Sequence, residues 1–144
     1  GPYAGSEDQV GPVAIEDGGL TLHMKGNRWK QIRFSYTVTP DTVLEFDFRS
    51  PMEGDVHGIG LDDDTAWSSD RFFQLHGTQS LGRQDFHDYR GPAKKHYVIP
   101  VGRFYTGRVN YMTFGNDHDV ARPTGESYFS NIRVYESDGT PPAR

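Results

Sequence analysis

Asp62, Asp63 and Asp64 directly follow the alternating run His57-Gly58-Ile59-Gly60-Leu61, and Asp117 and Asp119 flank His118 just beyond the apolar run Val109 to Phe114. Each acidic cluster falls where a strand should end. Within each, two carboxylates stand at alternate positions, a spacing that lets neighbouring side chains converge from a curved loop. If the fold brings both strand ends to one corner of a sheet, the five carboxylates make a hard-oxygen cage, and Ca²⁺ is the cofactor to expect. The competing reading is solvated turns, because Asp and Asn bond their own backbone there. His118 is a poor ligand for a hard cation and is assigned to a ligand surface or to solvent, and a zinc site would need more His at regular spacing.

A second group is aromatic and polar: Trp67, Phe72, Gln74, His76, Gln79, Phe86, His87, Tyr89, Arg90 and His96. A flat ring can stack on the apolar C–H face of a sugar while amides, imidazoles and guanidinia bond its hydroxyls. Trp67, Phe72 and Tyr89 are therefore assigned to stacking, and Gln74, His76, Gln79, Arg90 and His118 to hydrogen bonding. The alternative is that Phe72, Phe86 and Tyr89 simply cover a core under a long connection.

The elements that must position these groups read as strands. Val43 to Arg49 alternates Leu44, Phe46 and Phe48 on one face with Glu45, Asp47 and Arg49 on the other, the pattern of a half-buried antiparallel strand. His57 to Leu61 turns Ile59 and Leu61 inward and leaves an outward face of glycines, Gly58 and Gly60, which something can approach closely. Arg71 to His76 points Phe73 and Leu75 inward and Phe72, Gln74 and His76 outward. Pro12 to Glu16, Leu20 to Met24, Gln31 to Val38, Lys95 to Pro100, Gly107 to Phe114 and Ser127 to Tyr135 complete the set, with a hairpin turn at Asp17-Gly18-Gly19. The expected fold is an all-β antiparallel β-sandwich of jelly-roll type with little or no helix, a barrel being the alternative.

The chain has 144 residues, enough for one domain with a real core. Residues 12–136 are assigned to the sandwich, and residues 1–11 and 137–144 to polar linkers or tails. There is no cysteine, so neither a disulfide nor a thiolate site exists. A net charge of -5 argues against nucleic acid. No apolar run reaches the length of a membrane span and none opens the chain as a leader, so a non-membrane chain without a signal peptide is expected. Eleven Arg against four Lys suit an acidic ligand, since the planar guanidinium matches carboxylates, and suit a GC-rich genome equally. No nucleophile elbow, phosphate loop or zincin motif is present.

Gly18-Gly19-Leu20-Thr21-Leu22, Gly26-Asn27-Arg28-Trp29-Lys30-Gln31-Ile32 and the strand Thr42 to Phe48 resemble the opening half of β-sandwich carbohydrate-binding modules attached to bacterial polysaccharide-degrading enzymes. Phe73-Gln74-Leu75-His76-Gly77-Thr78-Gln79, Ile99-Pro100-Val101-Gly102, Asn116-Asp117-His118-Asp119 and Phe129-Ser130-Asn131-Ile132-Arg133-Val134 look like the second half. The resemblance implies a secreted, non-catalytic binder of a polysaccharide, with bound calcium, working for a linked catalytic domain; a monomer is expected. It also implies a metal near the chain ends, to which Glu16 and Asn131 could contribute. The rival functions are a small catalytic sandwich, either a polysaccharide lyase or a glycosidase, and a calcium-dependent adhesion or structural domain.

Overall fold

The computed structural model describes residues 13–16, 21–139 and 141, with side chains from residue 21 onward. The described residues form nine strands: β1 (Val13–Glu16), β2 (Thr21–Lys25), β3 (Arg28–Val38), β4 (Thr42–Met52), β5 (Val56–Asp62), β6 (Phe72–His76), β7 (Lys95–Ile99), β8 (Gly107–Asp117) and β9 (Glu126–Glu136). A 3-10 turn at Val101–Arg103 is the only helical element among them. The strands pair antiparallel into a five-stranded sheet, β1-β2-β9-β4-β7, and a four-stranded sheet, β3-β8-β5-β6. Because β2/β3, β4/β5, β6/β7 and β8/β9 each cross from one sheet to the other, this is the strand order of a jelly roll. The Asp17-Gly18-Gly19 turn and residues 1–11 lie outside the described residues, although β1 and β2 do pair as a hairpin would.

The core is the set of inward residues that alternation selects. Leu44, Phe46 and Phe48 of β4, Ile59 and Leu61 of β5, and Phe73 and Leu75 of β6 are all fully buried between the sheets. On β8 the core residues Val109, Met112 and Phe114 break strict alternation, and a register shift against β3 between Arg33 and Tyr36 absorbs the difference. Rings fill the interlayer: Phe46 stacks on Tyr97 at 5.4 Å, and Phe48 meets Phe129 at 5.1 Å.

Inside this sandwich runs one directed polar chain. Gly54 N–H donates to His57 Nε2 at 2.7 Å, which leaves the proton on Nδ1 to donate to Ser127 Oγ at 2.8 Å. Ser127 passes its own proton to Asn116 Oδ1 (2.7 Å), and Asn116 Nδ2 donates to the carbonyls of Gly26 and Gly125 at 2.7 and 2.8 Å. Four segments are thereby tied by groups that are fully buried and paired. Burial, with the nearby His76, pushes the His57 imidazole down to about 3, so the ring is neutral at any ordinary pH.

Candidate functional site

The two acidic clusters do not meet. β5 and β8 are antiparallel neighbours, with Val56 opposite Asp117 and Asp62 opposite Tyr111, so the clusters lie six residues apart along the sheet, about 20 Å at ~3.4 Å per residue. Adjacent strands bring their C-terminal ends to one corner only when they run parallel, and these run antiparallel. The expected five-carboxylate cage is therefore split. Asp117 and Asp119 keep company with Asp55, whose Oδ2 accepts the Asp119 N–H at 2.9 Å.

Asp62, Asp63 and Asp64 remain a group, able to bring one oxygen each within 4.8 Å of the others. Asp62 is buried and accepts the Asp63 N–H at 2.8 Å, Asp64 accepts the Ala66 N–H at 3.0 Å, and Arg71 stands 3.9 Å from Asp63. The donor chemistry fits a hard cation, supplying three of the six to eight oxygens Ca²⁺ takes. Glu16 has no described side chain, and Asn131, in the left-handed region at φ 52, spends its amide on Asp47 at 2.9 Å.

The outward glycine face behaves differently from its sequence reading. Gly58 and Gly115 sit side by side on β5 and β8, and what comes close to their backbone is the protein's own aromatic side chains. A Cβ on Gly58 would lie 2.4 Å from Phe72 Cζ, and one on Gly115 would lie 2.7 Å from Trp29 Cζ3. Trp29, Val56 and Phe72 form a second apolar cluster on the outside of the four-stranded sheet, with Trp67 and Leu81 packed on it. Trp67, from the β5–β6 connection, stands edge-on to Trp29 at 6.4 Å and 83°, and tilts over Phe72 at 6.2 Å. It is the partly exposed ring of the three, whereas Trp29 and Phe72 are only 3% and 1% exposed.

Of the other residues assigned to ligand, most are committed to the protein. Phe72 does face outward but is buried beneath Trp67, so its own ring has no open face. Tyr89 is 2% exposed: its ring packs edge-on against Phe48 at 4.9 Å, while its hydroxyl accepts from Ser50 N–H and donates to the Ala93 carbonyl. The reading of Tyr89 as a cover over the core is the correct one. His76 is nearly buried, with Nδ1 at 3.1 Å from the Tyr89 carbonyl and 3.6 Å from Glu53. Burial lowers its pKa despite the nearby Glu53 carboxylate. His118 Nδ1 accepts from the N–H groups of Thr124 and Gly125, both at 2.9 Å, which shapes the loop leading to β9. Gln74 is fully buried and each of its four hydrogen-bonding positions is filled. Gln79 and Arg90 are exposed. Phe86 packs on the core cluster, and His87 bridges Gln84 and the Gly77 carbonyl.

Trp29 stands in the sequence only within the motif Gly26 to Ile32, with no alternation to place it on the outer face. β3 begins at Arg28, earlier than its apolar run suggests, and the outward positions Trp29, Gln31 and Arg33 then pair with Gly115, Thr113 and Tyr111. A ring set opposite a glycine was the available signal.

The outer face of the five-stranded sheet is instead closed by its own charges. His96 reaches Asp47 through Nδ1 and Glu45 through Nε2, both at 2.7 Å, and Glu45 also accepts from Arg133 and from Tyr135. Two carboxylates on the two nitrogens require an imidazolium, and the bonds to Asp47 and then Glu45 raise the His96 pKa. Nearby, His23 stacks on Tyr128 at 4.1 Å and bonds Glu126 at 2.6 Å, and Arg49 lies 3.9 Å over the same tyrosine ring. With these pairs filled, the aromatic face of the other sheet is the better candidate for a flat ligand.

No protein-family model matches the chain, and no curated protein does. Solved structures do. The family 30 carbohydrate-binding module of a cellulosomal cellulase from Clostridium thermocellum aligns over 96% of this chain and 91% of its own, with 16% identity and a TM-score of 0.50. A second family 30 carbohydrate-binding module structure aligns over 99% of this chain and 84% of its own, also at 16% identity and a TM-score of 0.50. At this identity the likeness is one of fold, and the fold agrees with the resemblance that the sequence motifs carry.

Proposed function

We propose that this chain is a non-catalytic glycan-binding module that holds a polysaccharide against the outer face of its four-stranded sheet. The observation that carries the reading is Trp67: a partly exposed indole seated on the buried rings of Trp29 and Phe72, on a fold shared with solved carbohydrate-binding modules. Backing by buried rings fixes the plane of the exposed one. The loss of ring freedom is then met on folding, and a sugar stacking on Trp67 gains affinity from that preorganisation. Secretion, a monomeric state and a linked catalytic domain belong to the same proposal; such a module raises the local concentration of substrate for its enzyme. On the outer face of the other sheet the carboxylates of Glu45 and Asp47 are clamped by His96, Arg133, Tyr135 and Asn131.

A glycan microarray run with wild type and Trp67→Ala tests the reading. Removal of the ring should weaken binding by about 1–3 kcal/mol, by analogy with aromatic hot spots, while far-UV circular dichroism stays unchanged. Equal signals from the two proteins would exclude the platform. If the arginine excess reflects an acidic ligand such as pectin, alginate or glucuronoxylan, those spots should fade from low to high salt, because exposed charge pairs are screened.

Calcium is proposed at the Asp62–Asp64 turn alone. Ca²⁺ binding there would stabilise the native state by about 2.7 kcal/mol at a hundredfold excess over its dissociation constant. By calorimetry, Tm should fall with EGTA and recover with Ca²⁺, and Asp64→Ala should abolish the response while Asp117→Ala leaves it intact. A Tm indifferent to EGTA would return the cluster to a solvated turn.

A further inference from the structure

Gln74 projects from the outer face of β6, yet solvent does not reach it. Its Nε2 donates to the carbonyls of His76 at 3.1 Å and Gln79 at 2.6 Å, and its Oε1 accepts from Leu81 N–H at 2.8 Å and Gln84 Nε2 at 2.7 Å. A glutamine amide has two donor hydrogens and one carbonyl oxygen with two lone pairs, so its capacity is used in full. Three of the four partners lie in one stretch of connection, between Gln79 and Gln84. The backbone of that stretch also pairs with β6, since Arg83 N–H donates to the Phe72 carbonyl at 2.8 Å and Gln74 N–H to the Arg83 carbonyl at 3.0 Å. Gly82, at φ +80, makes the approach possible: a Cβ there would lie 2.7 Å from the Phe72 carbonyl. The result of the curl is that Leu81 rests on the cluster that carries Trp67.

We infer that Gln74 is a positioning residue for glycan recognition: its amide clamps the 79–84 segment into a wall beside Trp67, with the exposed Gln79 and Ser80 along it for the ligand's hydroxyls. The inference rests on the Trp67 platform. It assigns Gln74 the opposite of direct contact, because a side chain with every position filled has nothing left to offer a sugar. It also explains why an amide stands on β6 at this position. A hydroxyl is too short to reach across the segment, and a carboxylate could not donate to the His76 and Gln79 carbonyls.

The test uses the full chain and three soluble probes, hydroxyethylcellulose, xyloglucan and polygalacturonate, with Kd measured well below the melting range. Gln74→Met keeps the volume and removes all four bonds. It should raise Kd tenfold or more for whichever probe wild type retains, shift tryptophan emission to the red as Leu81 leaves the Trp29–Val56–Phe72 cluster, and speed hydrogen exchange at the Leu81 amide. Gln84→Ala, at an exposed position, should move all three readouts the same way by a smaller amount. Fast Leu81 exchange with a wild-type Kd would overturn the positioning role and leave the platform standing. Should Gln74→Met fail to fold, Gln84→Ala and Leu81→Ala decide by the same comparison, and wild-type Kd in both counts against it. If Trp67→Ala binds as wild type does, or wild type binds none of the probes, the platform fails and the inference with it.

Discussion

Phe72→Ala should cost this protein about 3–5 kcal/mol of stability, the range for deleting a buried ring. The ring is 1% exposed, it lies over the backbone of Gly58, and it touches Trp29 at 5.2 Å and Trp67 at 6.2 Å. Its removal empties the middle of the outer cluster, and neither glycine beneath can fill the gap. Since small domains have only ~5–15 kcal/mol in total, the loss should show as a large drop in the urea midpoint with the slope unchanged. Glycan binding should fall too, as a consequence of Trp67 losing its seat. Phe72→Leu should recover most of the stability. A loss below about 1 kcal/mol in Phe72→Ala would place the ring at the surface after all, and would restore it as a direct sugar contact.

The second large effect is a dependence on acid. The unfolded chain protonates His57 near 6.5, whereas the folded chain does so only at about 3. Between these values the unfolded state binds more protons, so this histidine's contribution is present above the unfolded value and is lost as pH falls. At pH 5 the loss from this one group is about 2 kcal/mol. Urea denaturation of wild type at pH 7.5 and pH 5 should show it. His57→Gln, which can still accept from Gly54 and donate to Ser127 but does not titrate, should be less stable at neutral pH and lose about 2 kcal/mol less on acidification. An identical acid loss in the two proteins would mean that His57 is not held neutral. His96 works in the opposite direction. Its pKa is raised by Asp47 and Glu45, so its contribution is complete below the ordinary histidine value and is lost as pH rises through the folded one. Stability should therefore be greatest near neutrality.

The assignments that failed share a physical origin. Tyr89 and Phe72 have the composition of a sugar platform, and composition does not distinguish a ring stacked on a ligand from one stacked on Phe48 or Trp29. Gln74 and His118 are polar and by type alone suit a ligand, but the backbone of nearby connections supplies their partners. The acidic corner depended on the relative direction of two strands. Asp62 and Asp117 each end a strand, as the sequence suggests, yet antiparallel pairing sends them to opposite ends of the sheet.

By itself the sequence determined the sandwich and its inward faces. Leu44/Phe46/Phe48, Ile59/Leu61 and Phe73/Leu75 were legible because a strand turns alternate side chains to opposite sides, a property of the local backbone that needs no knowledge of neighbours. The turn residues between the runs then set the strand count. Only the tertiary structure decided which outward residues are covered, since that depends on pairings between distant segments. Gly115 brings Trp29 over β8, the curl of Gln79 to Gln84 closes over Gln74, and Ser127 reaches across the sandwich to His57 and to Asn116 beside it. Trp67 is left partly in solvent because the rings that could have covered it lie beneath it, held down by the close approach that Gly58 and Gly115 permit.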